Sequence, residues 1–540
     1  MAWLSFGFFF GAAVILISLK LVSSLIARRR LNLEASRQGC EPPYALPNKD
    51  FLGLTRLLGL LKATKEERGP QYLLDTINAE AGEDVHTLHI HIFPRAQTLM
   101  TRDPENVKAI FVTHASSFEI NAHRSGIFRP LLGDGIFTSR GEAWRHSRGL
   151  LRPQFSREQL SDLTLEQRHV DTLLSSLPTG PDGWTEVVDL QPHFFRMTLE
   201  AMTEFLYGHS PSQLDANPSA PSTPVFGHHL DAGKSYINTR LALGKFHWLI
   251  HPRAFTNHCN QVHAYVDYFI QQKFQHRWWK ASSPTNPDTE KPKKFILLDE
   301  LAKQTSNAQV LRSETLNVLS AGRDTTASLL AWLFYFLARH PVTFSHLRST
   351  ILSTFGPNPQ DITFPQLKNC TYLHHCINET LRMTAILPIM ERVSLEDTTL
   401  PRGGGKDGQK PIFIPKGQSV LISTYALQMR ADIWGSDPGV FRPERWENRR
   451  PGMEFVPFGG GPRKCIGQQF ALTSASYTMV RLLQRFDKCE NMETPVGQRI
   501  RFQHGLSIRS GTGAVVRLRE AMKPNTVDGS GDGEGGKEKV

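Results

Sequence analysis

The longest helical pattern in the chain, residues 307–339, sets the terms for everything packed around it. Its 33 residues span about 50 Å as a helix, with Ser306 as the predicted N-cap and Pro341 just past the end. Most of its positions are apolar, so it needs a body on nearly every side. Yet Ala321-Gly322-Arg323-Asp324-Thr325-Thr326 puts charge and hydroxyls in its middle. Groups buried there are costly unless they are paired or used. Gly322 and Thr325 can loosen the i→i−4 ladder, because a threonine hydroxyl competes for the backbone carbonyl. Two readings stand at this point: a kinked core helix with a capped aspartate, or a notch for small molecules.

Helical patterns dominate elsewhere too. Strand-like alternation is confined to 85–93, 411–414, Ser419–Ser423 and 512–518. The predicted fold is therefore mainly α with a small β subdomain. At 40% hydrophobic and 21% charged residues over 540 positions, a disordered or collagen-like chain is excluded. Six cysteines with no C-x-x-C pair exclude a disulfide scaffold or a zinc ribbon. The net charge of +11 suits nucleic acid, anionic lipid or an acidic protein. No aromatic-interleaved basic stripe accompanies it, so nucleic acid is not an expected partner.

The first thirty residues point to a membrane. An uncharged, nearly all-apolar run from Trp3 to Leu19 continues past Lys20 and closes on Arg28-Arg29-Arg30. As a helix it is long enough to cross a bilayer core of about 30 Å. No A-x-A cleavage site follows, and the arginines hold that flank in the cytosol. The expected organisation is a signal-anchor transmembrane helix over 1–30 and a proline-rich hinge over 31–49. One domain over 50–519 and a disordered tail over 520–540 complete it. Surface loops are expected at 209–224 and 281–294.

The most informative run is Phe458-Gly459-Gly460-Gly461-Pro462-Arg463-Lys464-Cys465-Ile466-Gly467. A lone cysteine on a glycine-rich loop, followed by a helical pattern, suits a thiolate ligand whose sulfur accepts backbone N–H bonds. The helix N-terminus and Arg463 favour the anionic sulfur. Gly467 admits a large flat ligand, and Phe458 shields the sulfur. Through this F-x-x-G-x-R-x-C-x-G spacing the chain resembles the cytochrome P450 haem-thiolate monooxygenases. Further blocks follow in family order between residues 50 and 519. They are Trp144-Arg145-His146-Ser147-Arg148, the Ala321–Thr326 block, Glu379-Thr380-Leu381-Arg382 and Phe441-Arg442-Pro443-Glu444-Arg445-Trp446.

The resemblance implies a mainly α cytochrome P450 fold that binds haem b, iron protoporphyrin IX, through Cys465. Trp144, Arg148, Arg463 and Arg392 are then the propionate contacts. Asp324 and Thr325 are the catalytic pair that manages protons, and Glu379, Arg382 and Arg445 form a buried structural triad. Electrons come from NADPH through NADPH–cytochrome P450 reductase, with Lys464 on its docking face. The implied location is the endoplasmic reticulum membrane, single-pass, with the catalytic domain on the cytosolic side. Residues 321–341, 399–405 and 461–484 are similar to the fungal alkane and fatty-acid hydroxylases, so a lipophilic long-chain substrate is expected. Leu319, Leu387, Met390 and Leu506 are candidate pocket residues. Gln428 departs from that branch, which usually carries histidine there. It leaves room for a tailoring monooxygenase of a polyketide or terpenoid pathway. A non-catalytic haem-binding membrane protein would have no use for Asp324 and Thr325.

Other candidates are set aside. Gly403-Gly404-Gly405-Lys406 lacks phosphate-loop spacing and reads as a loop. His86, His89 and His91 read as a solvated strand rather than a metal site. His374-His375-Cys376 reads as helix packing.

Overall fold

The computed structural model describes residues 15, 18–20, 22–23, 25–26, 29–50, 53–93, 98–156, 161–209, 222–282, 295–493 and 499–522. Most of the expected anchor over 1–30 lies outside them, as do the tail from 523 and residues 210–221 and 283–294 of the loops expected at 209–224 and 281–294, whose residues 223–224 and 281–282 are helical. Among the described residues no helix is long and apolar enough to cross a membrane.

The helices that build the site are α1 (Gly141–Leu151), α2 (Leu190–Tyr207), α3 (Thr223–Leu243), α4 (Ala308–Leu337), α5 (Thr371–Thr384) and α6 (Gln468–Arg485). The central one is α4. Its N-cap is Asn307 rather than the expected Ser306, because the Asn307 carboxamide reaches two open amides, Gln309 N at 2.9 Å and Val310 N at 3.2 Å. Pro341 does more than follow the helix; it opens the next one, Pro341–Phe355. α4 runs along α2, with Phe194 against Phe334 in one apolar cluster and Met202 near Leu316 and Leu319 in a second. It stays helical through 321–326. Gly322 therefore serves close approach rather than a break: a Cβ there would lie 2.6 Å from the Met202 sulfur.

The main sheet has six strands: β1 (Tyr44–Ala45), β2 (Thr87–Ile90), β3 (Thr98–Thr101), β4 (Phe118–Glu119), β5 (Ile389–Ser394) and β6 (Ser419–Ser423). Their order is β1-β2-β3-β6-β5-β4. β1 and β2 are parallel, as are β3 and β6, and the other pairs are antiparallel. The expected hinge over 31–49 is corrected here. Residues 31–37 are helical, Tyr44 and Ala45 pair with Leu88 and His89, and Leu46 is buried. A short stretch flanked by prolines suits an edge strand, where a missing N–H does no harm. The triple-glycine segment is likewise not a plain loop: Thr398–Gly404 pairs with Lys410–Ile414, and Gly404 packs on the backbone of Glu41. The last strand, Val515–Glu520, carries the body one residue past the expected boundary, where Glu520 pairs with Arg485 at 3.2 Å.

Candidate active site

The cysteine loop is held by its own hydrogen bonds and by one close tertiary contact. Cys465 N donates to Phe458 O at 3.0 Å and Lys464 N to Gly461 O at 3.1 Å. Gly461 has φ +62°, and a Cβ there would overlap the carbonyl oxygen of Phe111, so only glycine fits. Phe458 packs half-buried against the core cluster that holds Leu483 and Phe334. Ile466 packs against the apolar cluster that also holds Leu316 and Leu319 of α4. α6 starts at Gln468, three residues after the cysteine.

Burial among the surrounding atoms pushes the Cys465 thiol above its ordinary value, opposed by a hydrogen bond from the Gly467 backbone and by the charges of Arg148 and Lys464. The Arg463 guanidinium bonds Glu119 at 2.7 Å and Ser139 O at 3.0 Å, and it stacks 4.2 Å over Trp144. Arg148 lies 5.7 Å from the same ring and donates to Lys464 O at 3.0 Å. Arg392 donates to Glu391 O at 2.9 Å and stacks on Phe111.

These arginines form one positive field. Burial and the charges of Arg463 and Arg124 push Arg392 down to about 10. Burial, with Arg124 and Arg140 nearby, brings Arg463 to about 10 against the pull of Glu119. Arg140 Nε is buried without a hydrogen-bond partner. Guanidiniums thus outnumber carboxylates around the loop, which is the surrounding that acidic side arms of a bound group require. Gly467 makes the second test of fit. Its φ is −87°, and a Cβ there would meet only Phe155, at 3.7 Å, so neither backbone nor packing demands glycine. The space before it suits a flat ligand. The residues present fit a haem.

On α4, Thr325 Oγ1 donates to Ala321 O at 2.8 Å, inside its own helix. Asp324 is buried and accepts from Lys234 Nζ of α3 at 2.8 Å, with Arg323 at 3.4 Å on its other oxygen. Arg323 in turn holds Asp231 of α3 with both amines. Burial and the Arg323 charge bring the Lys234 ammonium below its ordinary value against the pull of Asp324. Lys234 and Asp231 were absent from the sequence reading. Its only trace of them is that a buried carboxylate demands a partner.

The triad residues meet behind the loop. Arg382 grips both oxygens of Glu379 at 2.9 Å, and Arg445 Nε reaches Oε1 at 3.3 Å. Trp446 Nε1 and Arg442 N add bonds at 3.0 Å. Gln428 is buried beside them: its Nε2 donates to Leu381 O and Arg382 O, and its backbone oxygen accepts from Arg382. That position braces the triad. Of the candidate pocket residues, Leu319 is fully buried, Leu387 is exposed, Met390 packs near Phe111, and Leu506 packs near Ile466. Among the described residues no group of three metal-ligating side chains is placed to hold an ion.

A second buried acid ties α4 to α1. Ser147, between Trp144 and Arg148, donates to Glu314 Oε2 at 2.8 Å. Burial pushes Glu314 up to about 7, and Glu166 likewise. Between their ordinary value of 4.5 and about 7 the native protein keeps protons that the unfolded chain has released. Their contribution to stability therefore falls as pH rises through that window. Glu314→Gln keeps the acceptor for Ser147 and should flatten the fall, measured as urea midpoints from about pH 4 to pH 8. An unchanged slope would refute the assignment.

Comparison with known proteins places the chain. The family described as Cytochrome P450 matches residues 69–511. Cytochrome P450 monooxygenase g430 of Fusarium sp is 43% identical over 484 residues, covering 88% of this chain and 84% of the relative. Cytochrome P450 monooxygenase alt2 of Alternaria solani is 37% identical, covering 90% and 93%. Cytochrome P450 52A4 of Candida maltosa is 42% identical, covering 77% and 78%. With most of its length matched in this way, the chain belongs to the cytochrome P450 family, a haem-dependent monooxygenase whose electrons come from NADPH through a reductase.

Proposed function

We propose that the protein hydroxylates a C–H bond of a long-chain lipophilic compound, a fatty acid or alkane, from an anchor in the endoplasmic reticulum membrane. The observation that carries the reading is the Cys465 loop together with the buried acid Asp324 and the half-buried hydroxyl of Thr325 on α4. Residues 1–30 supply the anchor, and the cytosolic body meets its reductase on the face that carries Lys464.

Cys465, with Trp144, Arg148, Arg463 and Arg392, holds the haem. When bound, the haem supplies activation of O2, one atom of which enters the C–H bond while the other leaves as water with two electrons and two protons. The chain's own residues manage those protons. Asp324 exchanges its proton at Oδ2, where Lys234 now sits. Lys234 Nζ donates to the carboxylate at 2.8 Å, and Arg323 fixes its second oxygen. Thr325 carries the hydroxyl on the next residue; turning it away from Ala321 O frees a donor. Gln428 belongs to the scaffold around Glu379, so its departure from the branch does not bear on substrate choice. The test is NADPH- and reductase-dependent turnover on a panel of fatty acids and alkanes. Hydroxylated product is expected from at least one chain length, and oxidation of none would end the long-chain reading.

A further inference from the structure

A cavity of about 240 Å³ opens between the first turn of the helix His123–Leu132, the end of α3 with the turn after it, and the edges of β5 and β6. Ile120, Ile127, Leu241 and Leu243 give it an apolar wall. His123, Arg124 and Lys245 line the other side, with Glu391 beside them. His123 and Arg124 stand in the first turn of a helix that has no acidic residue there. Two basic side chains thus face the positive end of a helix dipole, an arrangement that favours an incoming anion.

Arg124 is the group left unmet. Its Nε donates to Phe137 O at 2.9 Å and its guanidinium stacks 4.6 Å over Phe128. Its two terminal amines have no hydrogen-bond or ion-pair partner among the described residues. Glu391 is the carboxylate whose charge acts on it, but Glu391 is engaged by Ser419 Oγ at 2.6 Å and Asn121 Nδ2 at 3.4 Å. Burial lowers the Arg124 guanidinium from its ordinary value, a sign of charge held without a full counterpart. Lys245, at the rim, forms no ion pair among the described residues.

We propose that this cavity is a carboxylate-binding subsite, with the Arg124 fork as the bidentate partner and Lys245 at its rim. The planar fork matches the two oxygens of a carboxylate, and the apolar wall takes the hydrocarbon attached to it. The carboxylate is the head of a long-chain acid substrate, so the proposal rests on the long-chain reading above.

The test uses the haem-loaded enzyme and Arg124→Met. Binding of a long-chain fatty acid and of its methyl ester is read from the spin-state shift, and haem release from the rate of transfer to apomyoglobin. If the subsite takes the substrate head, acid affinity falls about tenfold or more, ester affinity holds, and haem release is unchanged. Lys245→Met then repeats the acid-selective loss more weakly. Faster haem release, with acid and ester affected alike, would mean that Arg124 holds a haem propionate and would overturn the proposal, as would the absence of any change. Should Arg124→Met fail to load haem, Arg124→Lys keeps the charge and the stem but loses the fork, and the same outcomes apply. Wild-type protein that binds neither acid nor ester would defeat the long-chain reading itself.

Discussion

Cys465→Ser is expected to fold, to lose the red-shifted Soret peak of the reduced, carbon-monoxide-treated protein, and to lose turnover. The loss should far exceed the roughly 10–100-fold that removal of an outer partner of a metal ligand costs. Serine keeps the shape of the side chain but not its chemistry, because the hydroxyl does not ionise where a thiol can. The Gly467 amide and the Arg148 and Lys464 charges surround a sulfur and pull its titration down against the burial that raises it. An undiminished peak in the serine variant would remove the basis of the functional reading.

Glu379→Ala is the opposite case, a large loss of stability at a residue distant in role from the chemistry. Glu379 and Arg382 are both fully buried, and the side chain of Arg445 is nearly so. Removing the carboxylate leaves two guanidiniums, the Trp446 indole and the Arg442 amide without their common acceptor. The expected cost is about 3–5 kcal/mol, against a total of about 5–15 kcal/mol for a typical domain. Chemical denaturation should show that loss, and expression should yield little haem-loaded protein. Glu379→Gln keeps an acceptor for the indole and should fall between the two. A loss below about 1 kcal/mol in the alanine variant would mean that the triad does not carry the fold behind the loop.

How far the sequence could be read depended on whether the deciding interaction was local. The long helix is placed to within two residues at its C-terminal end because apolar period and proline punctuation both act locally. Its N-cap slipped by one position, since Ser306 and Asn307 are both good caps and only geometry chooses between them. The Glu379–Arg382 pair shows itself through i, i+3 spacing. Arg445 came only with the family resemblance, since a partner 66 residues away leaves no local mark. The same holds for Lys234, 90 residues from Asp324, and for the Phe111 carbonyl that forces glycine at 461. The 31–49 segment was misread because a two-residue edge strand has too little pattern to outweigh its prolines.

One helix carries both the cavity wall and the cation on the acid. Leu241 and Leu243 stand at the end of α3, and Lys234 lies nine residues before Leu243, about 13 Å back along the axis. A variant that breaks or shortens α3 between Lys234 and Leu241 is therefore expected to disturb the cavity wall and the Lys234–Asp324 pair together.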